Sequence, residues 1–184
     1  DSRVSRGLGD VYKRQGQLSL ELREKGLTKK TKSDNTPVSN GDLEVNKLII
    51  EKLKKITPSI PIISEETSDN KSTNNLKDFW LVDPIDGTYD YINNLDEFTI
   101  NAGLIINKEP VAGLIYAPAL KRMFYSFGPN LSFEISNGKT SKLECSKNFN
   151  KEKIKFVSYS NKLKPEIENI PVSYTHLTLP TTPV

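Results

Sequence analysis

Two short apolar runs, each followed at once by acidic residues, constrain the fold of this chain more than any other feature. The runs cover residues 60–63 and 79–82, and turn-forming residues bound both of them. Short apolar segments with such boundaries are typical of buried β-strands that end in loops. The first run leads into Ser64-Glu65-Glu66, and the second leads into D-P-I-D-G-T at residues 83–88. The pattern predicts carboxylates grouped at the ends of two strands.

The D-P-I-D-G-T segment is expected to turn sharply, because proline fixes its own φ and glycine opens conformations closed to other residues. Such a turn can aim the carboxylates of Asp83 and Asp86 and the carbonyl of Ile85 at one point. Converging hard oxygen ligands are what Mg²⁺ requires, and the ion commonly takes a phosphate as a further ligand. Asp-Pro or Asp-Gly alone would indicate only a turn. With the upstream Ser-Glu-Glu, the segment indicates metal-dependent phosphate chemistry.

The same motifs resemble those of the inositol monophosphatase superfamily, whose members are Mg²⁺-dependent, lithium-sensitive phosphatases. Residues 97–101, E-F-T-I-N, and residues 32–38, K-S-D-N-T-P-V, are most similar to its 3'(2'),5'-bisphosphate nucleotidase branch. The resemblance extends from about residue 16 to about residue 170. It implies the N-terminal half of a layered α/β/α/β sandwich, which is an α+β domain with a largely antiparallel sheet packed with helices.

Carried over residue by residue, the resemblance implies a site for two or more Mg²⁺ ions in the intact enzyme. Its side-chain ligands would be Glu65, Asp83 and Asp86, and Ile85 would contribute its carbonyl oxygen. Two close ions can activate a water and stabilise charge on the leaving oxygen. Glu66 is expected beside the ligands rather than among them. Lithium inhibition is expected on the same ground.

The resemblance also implies residues that act on water and substrate. The Thr88 hydroxyl would orient the attacking water, and Asp42 would accept the Thr88 proton. The amides of Gly87 and Thr88 at a helix start could bind a phosphate oxygen, and Lys32 could neutralise phosphate charge. Each side chain has a structural alternative: Asp42 as a helix cap, Thr88 as a turn cap and Lys32 as part of a solvated basic loop.

The two ends of the chain do not fit the rest. Residues 1–15 and 171–184 resemble translated adapter sequence that recurs at the ends of metagenomic reading frames. We therefore expect residues 16–170 to form the truncated phosphatase domain and the first fifteen residues to be disordered. The sequence contains no apolar core of a signal peptide and no run of about 18 apolar residues, so a cytoplasmic location is expected.

The net charge gives no reason to expect a nucleic acid polymer as partner. The full chain has 26 Lys and Arg residues against 23 Asp and Glu residues. Four of these basic residues and two of these acidic residues lie in the adapter-like segments. The remaining 22 basic and 21 acidic residues nearly balance, whereas polymer binding relies on a basic surface. The expected partner is a small phosphorylated nucleotide or sugar phosphate.

Cysteine and histidine usage restricts the possible chemistry. Cys145 is the only cysteine, so an intrachain disulfide is impossible, and an inert thiol in a reducing compartment is expected. The only histidine, His176, lies in the C-terminal adapter-like segment. The rest of the chain therefore has no residue for Ser-His-Asp or Cys-His catalysis or for a histidine-based zinc site.

The remaining pattern predicts helices first and consecutive strands afterwards, as in a sheet covered by helices. A first helix is expected over 17–25, an exposed connection or hairpin over 29–38, and a second helix over 41–55 capped by Ser39 and Asp42. A polar loop is expected over 67–77. The apolar stripe of the second helix comprises Val45, Leu48, Ile49, Leu53 and Ile56. Further strands are expected over residues 98–106, 111–116, 122–127, 131–135, 139–144 and 153–158.

The expected reaction is removal of the 3'-phosphate of adenosine 3',5'-bisphosphate by a Mg²⁺-dependent phosphomonoesterase. Inositol monophosphatase or a related sugar phosphatase is the alternative within the same chemistry, and a non-catalytic binding module is the alternative outside it. Gly87-Thr88-Tyr89-Asp90-Tyr91 departs from the G-T-K-E-F common in the nucleotidase branch. The family's further metal-ligand aspartate lies in a W-D-x-A motif that is absent here. We therefore expect the chain to be an N-terminal fragment that lacks the second half of its fold and is inactive alone.

Overall fold

The structure, a computed structural model, divides the chain into two compact units, Asp1–Glu144 and Cys145–Val184. It describes residues 2–33, 35–67, 76–144, 155–157 and 175–177, with side chains for residues 12–33, 35–67 and 76–144. None of the helices in these ranges is both long enough and apolar enough to cross a membrane.

Three helices and a hairpin belong to the first unit. Helix α1 spans Ser2–Lys25, α2 spans Asn40–Ile56 and α3 spans Thr88–Ile92. Strands β1, Lys29–Thr31, and β2, Pro37–Ser39, form an antiparallel hairpin directly before α2. The hairpin expected between the first two helices is therefore present.

A seven-stranded sheet forms the centre of the first unit, with its strands arranged in sequence order from β3 to β9. The first pair, β3 and β4, is parallel, and all the following pairs are antiparallel. The strands are β3 Ile62–Ser64, β4 Phe79–Asp86, β5 Thr99–Ile106, β6 Glu109–Ala117, β7 Arg122–Phe127, β8 Ser132–Ser136 and β9 Lys139–Leu143. The predicted α+β class with a largely antiparallel sheet is confirmed.

The core lies between one face of this sheet and the helices. Alternate residues of the central strands, such as Trp80, Val82 and Ile100, are almost completely buried. They pack in one cluster with α2 residues that include Ile49 and Leu53. Because side chains alternate across a strand, the intervening residues face away from the helices. That outer face carries Leu81 and Asp83 on β4 and Asn101 on β5, and it borders a cavity of about 750 Å³.

The structure differs from the sequence-based expectation at the first helix. Residues 1–15 were expected to lie outside the fold, whereas α1 begins at Ser2 and continues without interruption to Lys25. Tyr12 and Gln15 are completely buried. The sequence predicted a helix only over residues 17–25, so the burial of these two side chains was not expected.

Two further differences concern α2 and β4. Ile56 was placed in the buried stripe, yet it is 36% exposed. It is the last helical residue, and Thr57 already turns its N–H and hydroxyl back to the Leu53 carbonyl. Strand β4 continues to Asp86 with an irregular register between Asp83 and Asp86. A bulge of this kind accommodates Pro84, which has no N–H to donate.

The second unit is described only at two short strands, β10 Lys155–Val157 and β11 Thr175–Leu177, which pair in parallel. The strand predicted over 153–158 corresponds to β10, and the backbone of His176 lies in β11. Cys145 and most of the predicted polar loop at 67–77 lie outside the described residues.

Candidate active site

Neighbouring strands bring the predicted acidic ligands to one end of the sheet. In the parallel pair β3–β4, Ser64 is opposite Val82, and the Glu65 N–H donates to the Val82 carbonyl at 3.1 Å. Glu65 and Asp83 are therefore the next residues after a paired position on two neighbouring strands. Asp86 ends β4 after the bulge. The predicted grouping of carboxylates at two strand ends is present.

The Asp83 carboxyl has the most perturbed electrostatic environment of this group. Burial, followed by the negative charges of Glu65 and Asp86, raises its pKa to about 7. Its Oδ1 atom is buried and has no hydrogen-bond partner among the described residues. A buried acceptor without a donor, surrounded by like charges, would be stabilised by a cation. The chemistry of this donor set therefore fits a cation, and the choice of Mg²⁺ stays a prediction.

The carboxylates of Glu65, Asp83 and Asp86 do not have the geometry of a metal-coordination site in this structure. Within the described ranges, no three acidic, histidine or cysteine side chains lie in a geometry that could hold an ion. Glu65 and Asp86 are both solvent-exposed. Rotation of their side chains toward Asp83 requires no rearrangement of the core.

Thr88 links the end of β4 to helix α2. Its hydroxyl lies 3.0 Å from Asp42 Oδ1 and 3.0 Å from the carbonyl oxygen of Ile85. The single hydroxyl proton can serve only one of these acceptors fully at a time. The Ile85 side chain is 2% exposed in the core, so its backbone is held firmly. The expected contact between Asp42 and Thr88 is present. The predicted role of the Ile85 carbonyl as a metal ligand stays a prediction.

Asp42 is held rigidly by the start of α2. Its Oδ2 accepts from the Ser39 N–H at 2.8 Å and from the Ser39 hydroxyl at 2.6 Å. The Ser39 hydroxyl oxygen accepts from the Gly41 N–H at 3.1 Å. It also accepts from the backbone N–H of Asp42, which completes the capping box. Asp42 is 1% exposed. It is therefore both a helix cap, through Oδ2, and a partner of Thr88, through Oδ1.

Lys32 is in the site, but its ammonium group contacts carboxylates. Nζ donates to Glu65 Oε1 at 3.1 Å and to Glu66 Oε1 at 2.7 Å. Burial alone would lower the pKa of Lys32, but these two hydrogen bonds outweigh it and raise the pKa. Burial raises the pKa of Glu66 despite the nearby lysine. The hairpin thus places a positive charge beside the acidic residues.

Gly87 is required by the geometry of the turn between β4 and α3. Its φ of 90° lies in the left-handed region, and an added Cβ would lie 2.9 Å from the Glu97 carbonyl oxygen. Alanine would therefore be strained and would clash with the backbone. Helix α3 begins at the next residue, Thr88, and has only five residues. Phosphate binding by the Gly87 and Thr88 amides stays a prediction.

Three polar residues at the site received no role from the sequence. Asn101 Nδ2 donates to Asp86 Oδ2 at 3.0 Å. Ser64 donates its hydroxyl to Asn46 Oδ1 at 2.6 Å, and both residues are buried. A polar residue within the apolar run T-I-N-A-G-L was the available signal for Asn101. For Asn46 the signal was an amide within the buried stripe of α2.

Comparisons with known proteins agree with this fold. The sequence profile of the inositol monophosphatase family matches residues 3–172. A 3'(2'),5'-bisphosphate nucleotidase CysQ of Aggregatibacter actinomycetemcomitans is 36% identical over 141 residues, which cover 74% of this chain and 52% of that protein. The chain thus spans about half the length of this curated relative.

Solved structures show the same fold. The CysQ structure from Bacteroides thetaiotaomicron, described as a bacterial member of the inositol monophosphatase family, has a TM-score of 0.68 at 23% identity. The match covers 94% of this chain and 72% of that one. A staphylococcal inositol monophosphatase-1 in a lithium chloride-soaked inhibitory complex has a TM-score of 0.71 at 20% identity, covering 85% of this chain and 58% of that one.

Proposed function

This chain belongs to the inositol monophosphatase family, and we propose that it supplies the metal- and water-handling half of a phosphomonoesterase. The proposed reaction removes the 3'-phosphate of adenosine 3',5'-bisphosphate. The observation that carries the proposal is the Asp42–Thr88 contact beside the carboxylates of Glu65, Asp83 and Asp86. A hydroxyl oriented by a buried carboxylate, next to acidic residues that suit a cation, is the arrangement that hydrolysis of a phosphate ester needs.

Mg²⁺ is the proposed cofactor, and its proposed ligands are Glu65, Asp83, Asp86 and the Ile85 carbonyl. The unpaired Oδ1 of Asp83 and the mutual repulsion of the three carboxylates support this choice. Bound Mg²⁺ would lower the pKa of a water and stabilise negative charge on the leaving oxygen. Oxygen-only ligands favour Mg²⁺ over softer metals. The lithium complex of the staphylococcal relative supports the expected lithium inhibition.

The protein residues orient the water and balance charge. Because Ser39 occupies Asp42 Oδ2, only Oδ1 is available to Thr88. Thr88 would therefore donate its proton to Asp42 and present an oxygen lone pair to the attacking water. Lys32 lies between Glu65 and Glu66, from where its ammonium group could exchange Glu65 for a phosphate oxygen.

The substrate assignment is supported by the relative named as a bisphosphate nucleotidase and by the E-F-T-I-N segment. Inositol monophosphatase stays the second candidate, because the family bears that name and residues 87–91 lack the G-T-K-E-F pattern. The cavity of about 750 Å³ beside Glu65 and Asp83 lies on the outer face of the sheet. A second half of the fold would have to enclose the substrate for either reaction to proceed efficiently.

The proposal is tested with a chimera. The 184-residue chain is joined to the C-terminal half of the Aggregatibacter relative, and phosphate release is measured with Mg²⁺ on adenosine 3',5'-bisphosphate and on inositol monophosphate. The chimera should prefer the bisphosphate, its Asp83→Asn variant should be inactive, and the chain alone should show no turnover. Preference for inositol monophosphate would favour the second candidate. Ligand binding without turnover would indicate a non-catalytic module.

A further inference from the structure

Asn101 occupies the position between the two aspartates of β4. In the antiparallel pair β4–β5 it is directly opposite Asp83. Residues opposed in this way have side chains on the same face with Cβ atoms about 5 Å apart. At the same time its Nδ2 donates to Asp86 Oδ2 at 3.0 Å, across the bulge. One amide side chain therefore lies against both predicted ligands.

Each of these two opposed residues carries a buried acceptor oxygen. Asn101 Oδ1 and Asp83 Oδ1 are each inaccessible to solvent and without a hydrogen-bond partner in the described part of the chain. Both residues line the same cavity. An unsatisfied buried acceptor destabilises the fold, so two of them on opposed residues favour a bound group that supplies positive charge or donors. Such a group also explains why an asparagine is placed in an otherwise apolar run.

We propose that Asn101 is a positioning residue of the metal site. Its amide nitrogen holds the exposed Asp86 carboxylate in place, and its carbonyl oxygen faces the metal region beside Asp83. Partners that orient metal ligands typically contribute 10–100-fold to metal affinity. The inference rests on the proposed function, because it requires that Asp83 and Asp86 bind a cation.

The test is Mg²⁺ binding to the full 184-residue chain, measured by isothermal titration calorimetry without substrate. Asn101→Leu removes donor and acceptor while keeping the number and branching of the side-chain heavy atoms, and it should weaken Mg²⁺ binding about 10–100-fold. Ser126→Ala is the matched control, because Ser126 lines the same cavity from strand β7. It should bind Mg²⁺ as the unchanged chain does. The Tm of Asn101→Leu without metal should stay level or rise, since an unsatisfied buried oxygen is removed.

A purely structural role of Asn101 predicts the reverse: a lower metal-free Tm and unchanged Mg²⁺ affinity. That result would overturn the inference. Asp83→Asn separates the inference from the proposed function on which it depends. If Asp83→Asn abolishes Mg²⁺ binding while Asn101→Leu leaves it intact, only the role of Asn101 is rejected. If Asp83→Asn has no effect, or the unchanged chain binds no Mg²⁺, the metal site and the inference both fail.

Discussion

Thr88 Oγ1 lies 3.0 Å from Asp42 Oδ1, although 46 positions separate the two residues along the chain. The contact joins the end of the central strand β4 to the first turn of α2. It exists because α2 packs on the sheet through Val45, Ile49 and Leu53, while the capping box fixes the Asp42 carboxylate. A hydroxyl held in this way has a defined direction for its lone pairs.

The first prediction concerns this contact. In the catalytically complete chimera, Thr88→Val should lower kcat by about 10²–10⁴-fold, the range typical of lost acid–base assistance. KM should change little, because valine keeps the shape of the side chain. The measurement is steady-state phosphate release. Thr88→Ser keeps the hydroxyl and should retain most of the activity. A larger loss in Thr88→Ser than in Thr88→Val would show that the methyl group, not the hydroxyl, matters.

The second prediction concerns Ser39. Ser39→Ala removes the hydroxyl that donates to Asp42 and accepts from Gly41. Loss of an N-cap of this kind costs about 1 kcal/mol of unfolding free energy, which urea denaturation can measure. In the chimera, kcat should fall as well, because Asp42 becomes less constrained. Ser141→Ala, at an exposed position of β9, should change neither quantity.

The third prediction is the pH dependence of metal-free stability. Because the folded-state pKa of Asp83 is raised to about 7 from its usual value of 3.8, the folded chain binds more protons than the unfolded chain between these pH values. Unfolding free energy should therefore fall as pH rises through this window. Asp83→Asn should remove this fall and stabilise the metal-free protein at neutral pH by about 1–2 kcal/mol, after allowance for solvent screening of a half-buried group.

Thermal unfolding at several pH values, with and without Mg²⁺, would measure this effect. Added Mg²⁺ should abolish the loss of stability at neutral pH in the unchanged chain and should have no such effect in Asp83→Asn. Glu109→Gln, on exposed β6, is the control and should keep the original pH profile. A profile unaltered by Asp83→Asn would contradict the assignment.

The fourth prediction concerns the approach of α2 to α3. A Cβ on Gly41 would lie 2.4 Å from the Tyr91 hydroxyl oxygen, and Tyr91 is completely buried with its hydroxyl bonded to the Ser19 carbonyl. Gly41→Ala should therefore destabilise the chain by about 1–3 kcal/mol, although alanine is the better helix former. A Cβ on Gly113 would have its nearest neighbour, Ser126 Oγ, at 3.6 Å, so Gly113→Ala should be tolerated. Equal unfolding free energies for both variants would show that Tyr91 can move.

Local chemistry explains the features that could be predicted from the sequence. The capping box of Ser39 and Asp42 depends on residues three positions apart, and it forms as expected. The strands that contribute alternating apolar residues are also at the expected places, and they carry Asp83 and Asp86 to one end of the sheet. Two expectations at helix ends differ from the structure. Residues 1–15 were left out of the fold because they resemble adapter sequence, yet α1 begins at Ser2. Periodicity placed Ile56 in the buried stripe of α2, yet it is exposed at the end of that helix.

The sequence by itself determined that carboxylates follow two of the strands, that Ser39 and Asp42 cap a helix, and that the motifs resemble those of a phosphatase family. Each of these features depends on short-range spacing. Only the tertiary structure decided which charges meet. The pairing of Lys32 with Glu65 and Glu66 joins the segment after β1 to the segment after β3, which are more than 30 positions apart along the chain. The placement of Asn101 between Asp83 and Asp86 depends on the register of β4 with β5 and on the bulge between the aspartates. Register follows from the packing of the whole sheet, since a shift of one residue would turn Asn101 toward the opposite face.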